Sequence, residues 1–347
     1  MKVDQSVFQQ GYFFPAEWEQ HRATWLSWPH NPQTWPGDID SIFDGYIDFV
    51  KEIAKSETVC INVADKTMES NVRCRLAEHN VDQKNIRCYN HPTNDTWCRD
   101  HGPCFLINSM GDKIIVDWEY NAWGNKYPPF NLDNAIPKHV ASALKLKYYH
   151  PGMVLEGGSV EFNGQGTVLT TTSCLLNHNR NPGLSKQTIE SKLRKIFGVT
   201  QVIWLDHGIA GDDTDGHIDT ITRFINPNTV VTVVEHDRSE INYQPLQNNL
   251  NTLKKIKLIN GQALDIVPLP MPAPKYHRGQ RLPASYANFY ICNGSVLVPT
   301  YRDANDQVAL DILSGLFPKR EVVGIDSLEI VRGLGSLHCL SMQEPAV

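Results

Sequence analysis

Four short polar segments carry the residue types that catalytic sites use. They are NDTWCRD at 94–100, LEGGS at 155–159, GDDTDGHID at 211–219 and RGLGSLHC at 332–339. A cysteine can act as a nucleophile, a histidine as a general acid and base, and a carboxylate can orient that histidine. Further carboxylates beside a thiol predict a bound cation, and a planar guanidinium offers five N–H donors that match carboxylate geometry.

The spacing of the candidate residues is regular. Asp95 precedes Glu156 by 61 residues, Glu156 precedes His217 by 61, and His217 precedes Cys339 by 122, which is twice that interval. Such spacing indicates equivalent loops of a repeated structural unit. In a closed radial arrangement, equivalent loops converge at one end of the axis. We therefore expect these four side chains to meet.

A nucleophile, an acid and an orienting carboxylate can be assigned from the residue types. Cys339 follows Gly333 and Gly335, which allow close approach of the backbone to a ligand, and it is the candidate nucleophile. His217 lies among four aspartates in the sequence, which should favour its protonated form and make it a good general acid. Glu156 should hold His217 through the other ring nitrogen, as the third member of a catalytic triad does.

The remaining residues of these segments predict a cation clamp. Asp95 and Asp219 are the candidate ligands of a guanidinium, whose carbon would then lie in front of the thiol. Trp97 could stack on the bound cation, or it could belong to the core. Arg99 and Asp100 are interpreted as a structural ion pair beneath the loop.

The elements that must position these segments can also be predicted. Strand-like runs that flank Asn, Gly or Pro turns predict four hairpins, at 104–118, 159–172, 222–234 and 288–300. Short apolar strands are predicted at 58–63, 200–205, 263–269 and 321–325. Each polar segment before 220 directly precedes a predicted hairpin. The chemistry should therefore lie at the entrance of each hairpin.

Helices are predicted between the hairpins and the short strands. Ser185 should cap one helix, which buries Ile189 and Leu193 among others and ends at Gly198. A 3.6-residue period of apolar residues predicts another helix over 39–53, after Asp38. A third should begin at Asn305 or Asp306 and stop at Pro318. Its inward residues are predicted to be Val308, Ile312, Leu313 and Leu316.

The repeated unit is therefore strand–strand–helix–strand, and it recurs about every 60–65 residues, so that about five units fit in 347 residues. The C-terminal run SLHCLSMQ is predicted to supply the strand that the first unit lacks. These features predict an α/β fold, closed radially by joining the two ends of the chain, in one domain spanning 1–347. The alternative is a doubly wound α/β sheet, which fits the repeat less well.

Composition excludes several other classes of protein. The chain has 32 Lys+Arg against 38 Asp+Glu, a formal charge of −6, and no basic run, which argues against a nucleic-acid partner. No apolar run reaches the roughly 18 residues of a membrane helix, and the first residues lack a signal-peptide pattern, so a cytoplasmic location is expected. None of the eight cysteines forms a C-x-x-C pair, which argues against a structural zinc site.

Two other functional classes are open at this point. His217 and Asp219, with a distant His236, His277 or His338, imitate a two-histidine, one-carboxylate iron site, although helices between the hairpins argue against that class. A non-catalytic protein that only binds a ligand is the other class.

The segments NDTWCRD, EGGS and DTDGHID and the C-terminal G-x-G-x-x-HC, in this order, resemble the agmatine deiminase and bacterial-type peptidylarginine deiminase family. Further matches are WLSWP at 25–29, NAWGNKY at 121–127 and ASYANFYICNGSVLVPTY at 284–301, so the resemblance covers nearly the whole chain. It implies the pentein fold, a five-bladed α/β-propeller of ββαβ units around a pseudo-fivefold axis. It also implies the roles already given to Cys339, His217, Glu156, Asp95 and Asp219.

The resemblance further implies a reaction. Agmatine would be hydrolysed to N-carbamoylputrescine and ammonia through a covalent thiouronium on Cys339, as a step toward putrescine, without metal or organic cofactor. Asp213, four residues before His217, is the candidate for binding the ammonium tail of agmatine. Pro92 stands where agmatine-specific members often carry an aromatic residue, so peptidyl-arginine or another guanidine compound is the alternative substrate. The oligomeric state is left open.

Overall fold

The computed structural model describes residues 1–347 and contains eighteen strands and ten α-helices, with short 3-10 turns between them. The strands are β1 His21–Ser27, β2 Thr58–Val63, β3 Ile86–Asn90, β4 Cys104–Ile107, β5 Lys113–Val116, β6 Lys147–Tyr149, β7 Val160–Phe162, β8 Thr167–Thr171, β9 Gln201–Leu205, β10 Thr222–Asn226, β11 Thr229–Val234, β12 Asp265–Pro270, β13 Tyr276–His277, β14 Gln280–Arg281, β15 Tyr290–Ile291, β16 Ser295–Thr300, β17 Glu321–Asp326 and β18 Ser341–Pro345. The helices are α1 Phe43–Ala54, α2 Lys66–Glu78, α3 Cys98–His101, α4 Ala122–Asn125, α5 Ile136–Ala143, α6 Thr172–Leu175, α7 Lys186–Phe197, α8 Tyr243–Leu253, α9 Asp306–Leu316 and α10 Leu337–Leu340.

Four three-stranded sheets repeat one pattern. Each has an antiparallel hairpin whose second strand pairs in parallel with a third strand, and at least one helix intervenes in the sequence before that third strand. The sheets are β4-β5-β6, β7-β8-β9, β10-β11-β12 and β15-β16-β17. The four predicted hairpins and the predicted short strands are thus confirmed. The strands β13 and β14 form a separate small hairpin.

The fifth sheet joins the two ends of the chain. Its strand order is β18-β1-β2-β3, with β18 antiparallel to β1 and β2 parallel to β1. Trp25 on β1 lies opposite Met342 on β18. The predicted closing strand is therefore confirmed from Ser341 onward, whereas the residues just before it form the short helix α10. Because the strands form separate small sheets, the doubly wound alternative is wrong.

Helix α7 follows its predicted bounds. The side chain of Ser185 accepts a hydrogen bond from the backbone N–H of Thr188, which satisfies one of the free donors of the first turn. The helix ends at Gly198, whose φ of +67° is the left-handed conformation that glycine adopts at low cost. Its apolar face, which includes Leu193, is buried against the neighbouring sheet residues.

Helix α9 differs from the prediction in one detail. Leu313 is fully buried, but Val308 is 46% exposed, so its predicted inward orientation is wrong. Ala309, which the prediction left out, lies in the core instead. The observed register therefore turns the buried stripe toward Ala309 and away from Val308.

The N-terminal helical prediction is confirmed with a different start. The residues Ile39–Ile42 form a 3-10 turn, and α1 continues from Phe43 to Ala54 with its apolar face buried. The largest apolar cluster contains this face and also Trp97 and Cys339, so the candidate site lies against the core. None of the helices combines the length and the apolar character that crossing a bilayer requires.

The two faces of α9 generate a stability prediction. Leu313→Ala should lower the free energy of unfolding by about 2–5 kcal/mol, because it leaves a cavity at a fully buried position. Val308→Ala on the same helix should change it by less than about 0.5 kcal/mol. Equilibrium denaturant unfolding of the two variants measures both values, and equal losses would contradict the observed orientation of the helix.

Candidate active site

A short helical turn stands before the first strand of each of three hairpins and before β18. The turns are α3 before β4, the 3-10 turn Gly157–Ser159 before β7, the 3-10 turn Ile218–Thr220 before β10, and α10 before β18. Each turn contains the candidate catalytic residue of its polar segment or begins one to three residues after it. Packing contacts join α10 to α3, α3 to Gly157–Ser159, and this turn to Ile218–Thr220. The segments that the repeat predicted to converge do converge.

The thiol of Cys339 lies in this centre, at the C-terminal part of α10. Its Sγ accepts a hydrogen bond from the Asn288 side-chain amide at 3.2 Å and lies 3.8 Å from Oδ2 of Asp219. Burial, together with the negative charges of Asp219 and Asp100, raises the pKa of the Cys339 thiol well above its usual range. Without a bound cation, the sulfur is therefore held as the thiol.

Asp219 is fully buried and has one free oxygen. Its Oδ2 is 2.7 Å from Nδ1 of His338, whereas Oδ1 has no hydrogen-bond partner. Burial and the nearby Asp100 raise the pKa of Asp219 well above its usual range. An unpaired buried acceptor lowers stability by about 1–3 kcal/mol. Oδ1 of Asp219 is therefore suited to accept a hydrogen bond from a ligand.

His217 and Glu156 lie side by side and both have unpaired atoms. Ligand atoms of Glu156, His217 and Cys174 all lie within 4.8 Å of one another. Oε1 of Glu156 accepts a bond from Nε of Arg180 at 2.6 Å, while its Oε2 and both ring nitrogens of His217 are buried without partners. The two residues are therefore neighbours, as predicted, but the hydrogen bond by which Glu156 should hold His217 is absent.

The predicted protonation of His217 is wrong for this structure. Burial, reinforced by the positive charge of Arg180, lowers the pKa of His217 well below its usual range. The four aspartates near it in sequence do not accept hydrogen bonds from its ring, and its nearest carboxylate is that of Asp100, at 3.7 Å. Their partners are Thr214 for Asp212, Tyr127 for Asp213, Arg180 and Lys126 for Asp215, and His338 for Asp219. The ring is therefore neutral, which suits it to accept a proton.

The interpretation of Arg99 and Asp100 as an ion pair is also wrong. The guanidinium of Arg99 pairs instead with Glu17, at 3.1 Å. Asp100 accepts hydrogen bonds from Nε1 of Trp123 and from the backbone N–H of Gly158, both at 2.9 Å. Burial, followed by the charge of Glu156, raises the pKa of Asp100 to about 7.

Gly158 is required where the carboxylates and the imidazole meet. A Cβ atom at this position would lie 2.6 Å from Nδ1 of His217 and 2.9 Å from side-chain oxygens of both Asp100 and Asp219. These distances are shorter than real contacts, so any side chain here would displace the site. The second glycine of the EGGS segment thus keeps open the space between His217, Asp100 and Asp219.

Four of the predicted residues line one open cavity of about 720 Å³, namely Asp95, Trp97, Asp213 and Cys339. The other three, His217, Glu156 and Asp219, do not line it and lie deeper, with Asp219 next to the sulfur. The cavity therefore ends at the thiol, and the deeper residues stand behind it.

Asp95 and Trp97 occupy the wall near the thiol. Oδ2 of Asp95 accepts a bond from the Thr34 hydroxyl at 2.7 Å, and burial raises the pKa of this carboxyl. The Trp97 ring is buried, tilted against Trp35 at 5.6 Å, and so close to Gly335 that a Cβ there would lie 2.4 Å from it. Trp97 is thus both a core residue and part of the cavity wall.

Asp213 lies on the same cavity, beside the loop that follows β5. Its Oδ2 accepts a hydrogen bond from the Tyr127 hydroxyl, and its backbone carbonyl accepts one from Nζ of Lys126. Burial raises the pKa of its carboxyl. Asp213 is therefore held in place by neutral and backbone contacts, and no cation is bonded to its carboxylate.

The donor set disfavours the two-histidine iron alternative. Of the three distant histidines, His338 is the one beside Asp219, but its Nδ1 faces Asp219 and its Nε2 faces Glu17, at 2.7 and 2.8 Å. Both nitrogens are thus engaged with carboxylates and neither is free for a metal. This geometry fits a hydrogen-bonded network and does not fit a metal triad.

Several residues of the site escaped the sequence analysis. Asn288 stands before β15, the equivalent place in the fourth hairpin, and that position in the repeat could have identified it. Glu17, Arg180 and Arg223 gave no signal, because each acts through partners far away in sequence. Asp100 was noticed, but for the wrong role.

The comparisons with known proteins agree with this architecture. The sequence pattern of the Porphyromonas-type peptidyl-arginine deiminase family matches residues 13–345. The agmatine deiminase of Pseudomonas aeruginosa is 36% identical over 97% of this chain and 96% of its own length. The solved agmatine deiminase of Enterococcus faecalis is 33% identical, with a TM-score of 0.91, over 98% of this chain and 97% of that chain.

Two further solved structures extend this likeness. An agmatine deiminase of C. jejuni, solved with substrate bound, is 36% identical, with a TM-score of 0.88 and 96% coverage of both chains. A dimethylarginine dimethylaminohydrolase, 11% identical with a TM-score of 0.53 over 93% of this chain and 100% of that chain, shares the fold alone. The mixed α/β fold is thus that of guanidine-modifying enzymes. The chain belongs to the Porphyromonas-type peptidyl-arginine deiminase family.

The environment of Cys339 predicts how fast it is alkylated. At pH 7, iodoacetamide should label Cys339 far more slowly than the exposed Cys74, because the raised pKa leaves little thiolate. Since a higher pH favours the thiolate, the rate at Cys339 should still be rising above pH 9. Peptide mass spectrometry measures both rates in one sample. A rate at Cys339 that levels off below pH 8 would contradict the assigned environment.

Proposed function

We propose that this chain is an agmatine deiminase, which hydrolyses the guanidinium group of agmatine to give N-carbamoylputrescine and ammonia. One observation carries the proposal. In the centre that contains the thiol of Cys339, the buried Oδ1 of Asp219, Oε2 of Glu156 and both ring nitrogens of His217 have no partner. Carboxylate oxygens grouped in this way suit a planar cation that brings several N–H donors.

The carboxylates of Asp95 and Asp219 grip the guanidinium. Asp95 lies on the wall of the cavity that ends at Cys339, and Asp219 lies deeper, with Oδ2 at 3.8 Å from the sulfur. Each carboxylate accepts N–H donors from the cation, so the guanidinium carbon is fixed opposite Sγ. The positive charge of the bound cation also favours the reactive thiolate over the thiol.

The reaction then proceeds in two halves on Cys339. The sulfur attacks the guanidinium carbon, His217 takes the thiol proton and delivers it to the departing nitrogen, and ammonia leaves. A thiouronium remains on the sulfur. His217 then removes a proton from a water molecule that attacks the same carbon, the C–S bond breaks, and the ureido product leaves. The atoms balance as agmatine plus water giving N-carbamoylputrescine plus ammonia.

His217 and Glu156 act as a pair in both halves. The low pKa of His217 favours the neutral imidazole, which is the form that accepts the first proton. Glu156, anchored by Arg180 through Oε1, keeps Oε2 free for the ring once the ring is charged. The missing hydrogen bond between the two residues would then form on protonation.

Asp213 is the residue that favours agmatine over other guanidine compounds as the substrate. Its carboxylate lies on the wall of the cavity that ends at Cys339, and no cationic side chain is bonded to it. The ammonium tail of agmatine would supply that missing cation. Peptidyl-arginine is the alternative substrate, because the cavity of about 720 Å³ is wide enough for more than agmatine.

The fold part of the proposal concerns the arrangement of the sheets. We infer that the five sheets stand around a pseudo-fivefold axis as a five-bladed α/β-propeller and form one catalytic domain over 1–347. The convergence of the turns before β4, β7, β10 and β18 supports this arrangement. The pairing of β18 with β1 supports closure of the ring.

The proposed reaction predicts that agmatine is turned over and that Cys339 is essential. Cys339→Ala should lower kcat by about a thousandfold or more, because it removes the nucleophile. Cys74→Ala, at an exposed cysteine, is the matched control and should keep wild-type activity. Ammonia release and mass spectrometry of the ureido product measure the reaction. If peptidyl-arginine is processed faster than agmatine, the mechanism stands and the substrate assignment fails.

A substitution of Asp213 separates binding of the ammonium tail of agmatine from the reaction at the guanidinium group. Asp213→Asn should lower kcat/KM for agmatine about 10–100-fold, since a charge-assisted hydrogen bond contributes about 1.5–3 kcal/mol. Turnover of butylguanidine, which lacks the ammonium group, should hardly change. Asp206→Asn is the control, because this carboxylate is 56% exposed and does not line the cavity. An equal loss on both substrates would remove Asp213 from the tail site.

A further inference from the structure

A buried row of three side chains runs from the thiol toward the N-terminal loop. Oδ2 of Asp219 is 2.7 Å from Nδ1 of His338, and Nε2 of His338 is 2.8 Å from Oε2 of Glu17. All three side chains are at least nine-tenths buried. The reaction described above uses Asp219 but gives no role to His338 or Glu17.

The far end of the row is held by cations. Glu17 accepts hydrogen bonds from Arg223 at 2.8 Å, from Arg99 at 3.1 Å and from the backbone N–H of Ile291 at 2.9 Å. Burial opposes ionisation, yet the charges of Arg223 and Arg99 and the hydrogen bond from His338 hold the pKa of Glu17 well below its usual range. Glu17 is therefore a fixed carboxylate.

The number of protons in the row follows from its geometry. Each ring nitrogen of His338 faces a carboxylate oxygen, so each of the two gaps contains one proton. Two arrangements satisfy this count. Either the imidazolium lies between two carboxylates, or a neutral imidazole lies beside one protonated carboxyl group. Both arrangements have the same total charge and differ only in the place of one proton.

The surroundings select the arrangement of the empty site. Burial and the charge of Asp100 favour the protonated form of Asp219. Burial, followed by the charges of Arg223 and Arg99, lowers the pKa of His338 well below its usual range, although Glu17 opposes this. Asp219 therefore donates its proton to Nδ1 of a neutral His338, whose Nε2–H donates to Glu17.

We propose that His338 is a positioning residue that takes the proton of Asp219 when a guanidinium binds, a step that rests on the proposed function. The proton moves from Oδ2 of Asp219 to Nδ1 of His338 across the 2.7 Å hydrogen bond. Asp219 then faces the ligand as a carboxylate, and the imidazolium lies between it and Glu17. The row itself exchanges no proton with water, so Asp219 can bind a cation although it has no exit path for its proton.

This role explains why the row ends at Glu17. The imidazolium needs a second anion, because Arg223 and Arg99 stand close to it and repel its charge. Nε of Arg99 donates to the backbone carbonyl of His338, which also fixes the residue next to the nucleophile. The row therefore controls the charge of Asp219, and the contacts of His338 also hold the neighbouring Cys339 in position.

Nitrogen NMR of [15N]histidine-labelled protein tests the transfer directly. Cys339→Ala serves as the background, because it prevents turnover of the agmatine used as the probe. In the free protein, one nitrogen of His338 should be protonated, and at saturation with agmatine both should be. His338→Gln identifies the signal by its loss. A His338 spectrum that stays unchanged at saturation overturns the proposal. This measurement uses protein in which Asp219, His338 and Glu17 are all unsubstituted.

Calorimetry gives an independent readout of proton exchange. Agmatine binding to the Cys339→Ala protein is measured near pH 7 in two buffers of different ionisation enthalpy, which gives the number of protons released by all groups of the site. With His338→Gln added, the row cannot take the proton of Asp219, so binding should release about one proton more and weaken at least tenfold. His236→Gln, at an exposed histidine, is the matched control.

The two proposals fail in different ways. If agmatine does not bind, the assignment of agmatine as the substrate is wrong. The same titrations with arginine and guanidinium ion then test the proton transfer from Asp219 to His338. If one of these binds and His338 gains a proton, the transfer stands without agmatine. Binding that releases the same number of protons with and without His338→Gln overturns the transfer alone. If no guanidine compound binds, both proposals are overturned.

Discussion

The carboxylate of Glu17 is the interaction on which the rest of the centre depends. It accepts donors from Arg99 on α3, from Arg223 on β10, from Ile291 on β15 and from His338 on α10. A buried charge without partners costs several kcal/mol, so these four donors must stay together. One side chain of the N-terminal loop thus fixes elements from four regions of the chain, and the active-site turns are built on those elements.

The same centre gathers acidic groups to an unusual degree. Asp95, Asp100 and Asp219 have raised pKa values because they are buried, and Glu156 is buried with them. Removing such groups from water favours their neutral forms, unless a cation compensates their charge. Burial of Asp95, Asp100 and Asp219 therefore favours their protonated forms. A guanidinium is a small cation with enough N–H donors to favour their charged forms instead.

Local patterns made much of the fold predictable. The hairpins, the Ser185 cap and the regular spacing of the polar segments are all encoded within short stretches of sequence, and so the meeting of these segments could be predicted. Partners far apart in sequence could not be. Asp215, one of the aspartates that were expected to protonate His217, pairs with Arg180, and Arg99 pairs with Glu17 instead of Asp100. The roles of the site residues themselves stay predictions.

The pairing of β1 with β18 has a consequence for how the protein is made. Nε1 of Trp25 on β1 donates to Glu344 on β18, 319 residues away. During translation, β1 leaves the ribosome long before its partner, and an unpaired strand edge is open to wrong pairing or to a chaperone. Cys339 emerges just ahead of β18. The nascent chain therefore contains the other three polar segments while it still lacks Cys339, and the residues of the candidate site are all present only as its first sheet is completed.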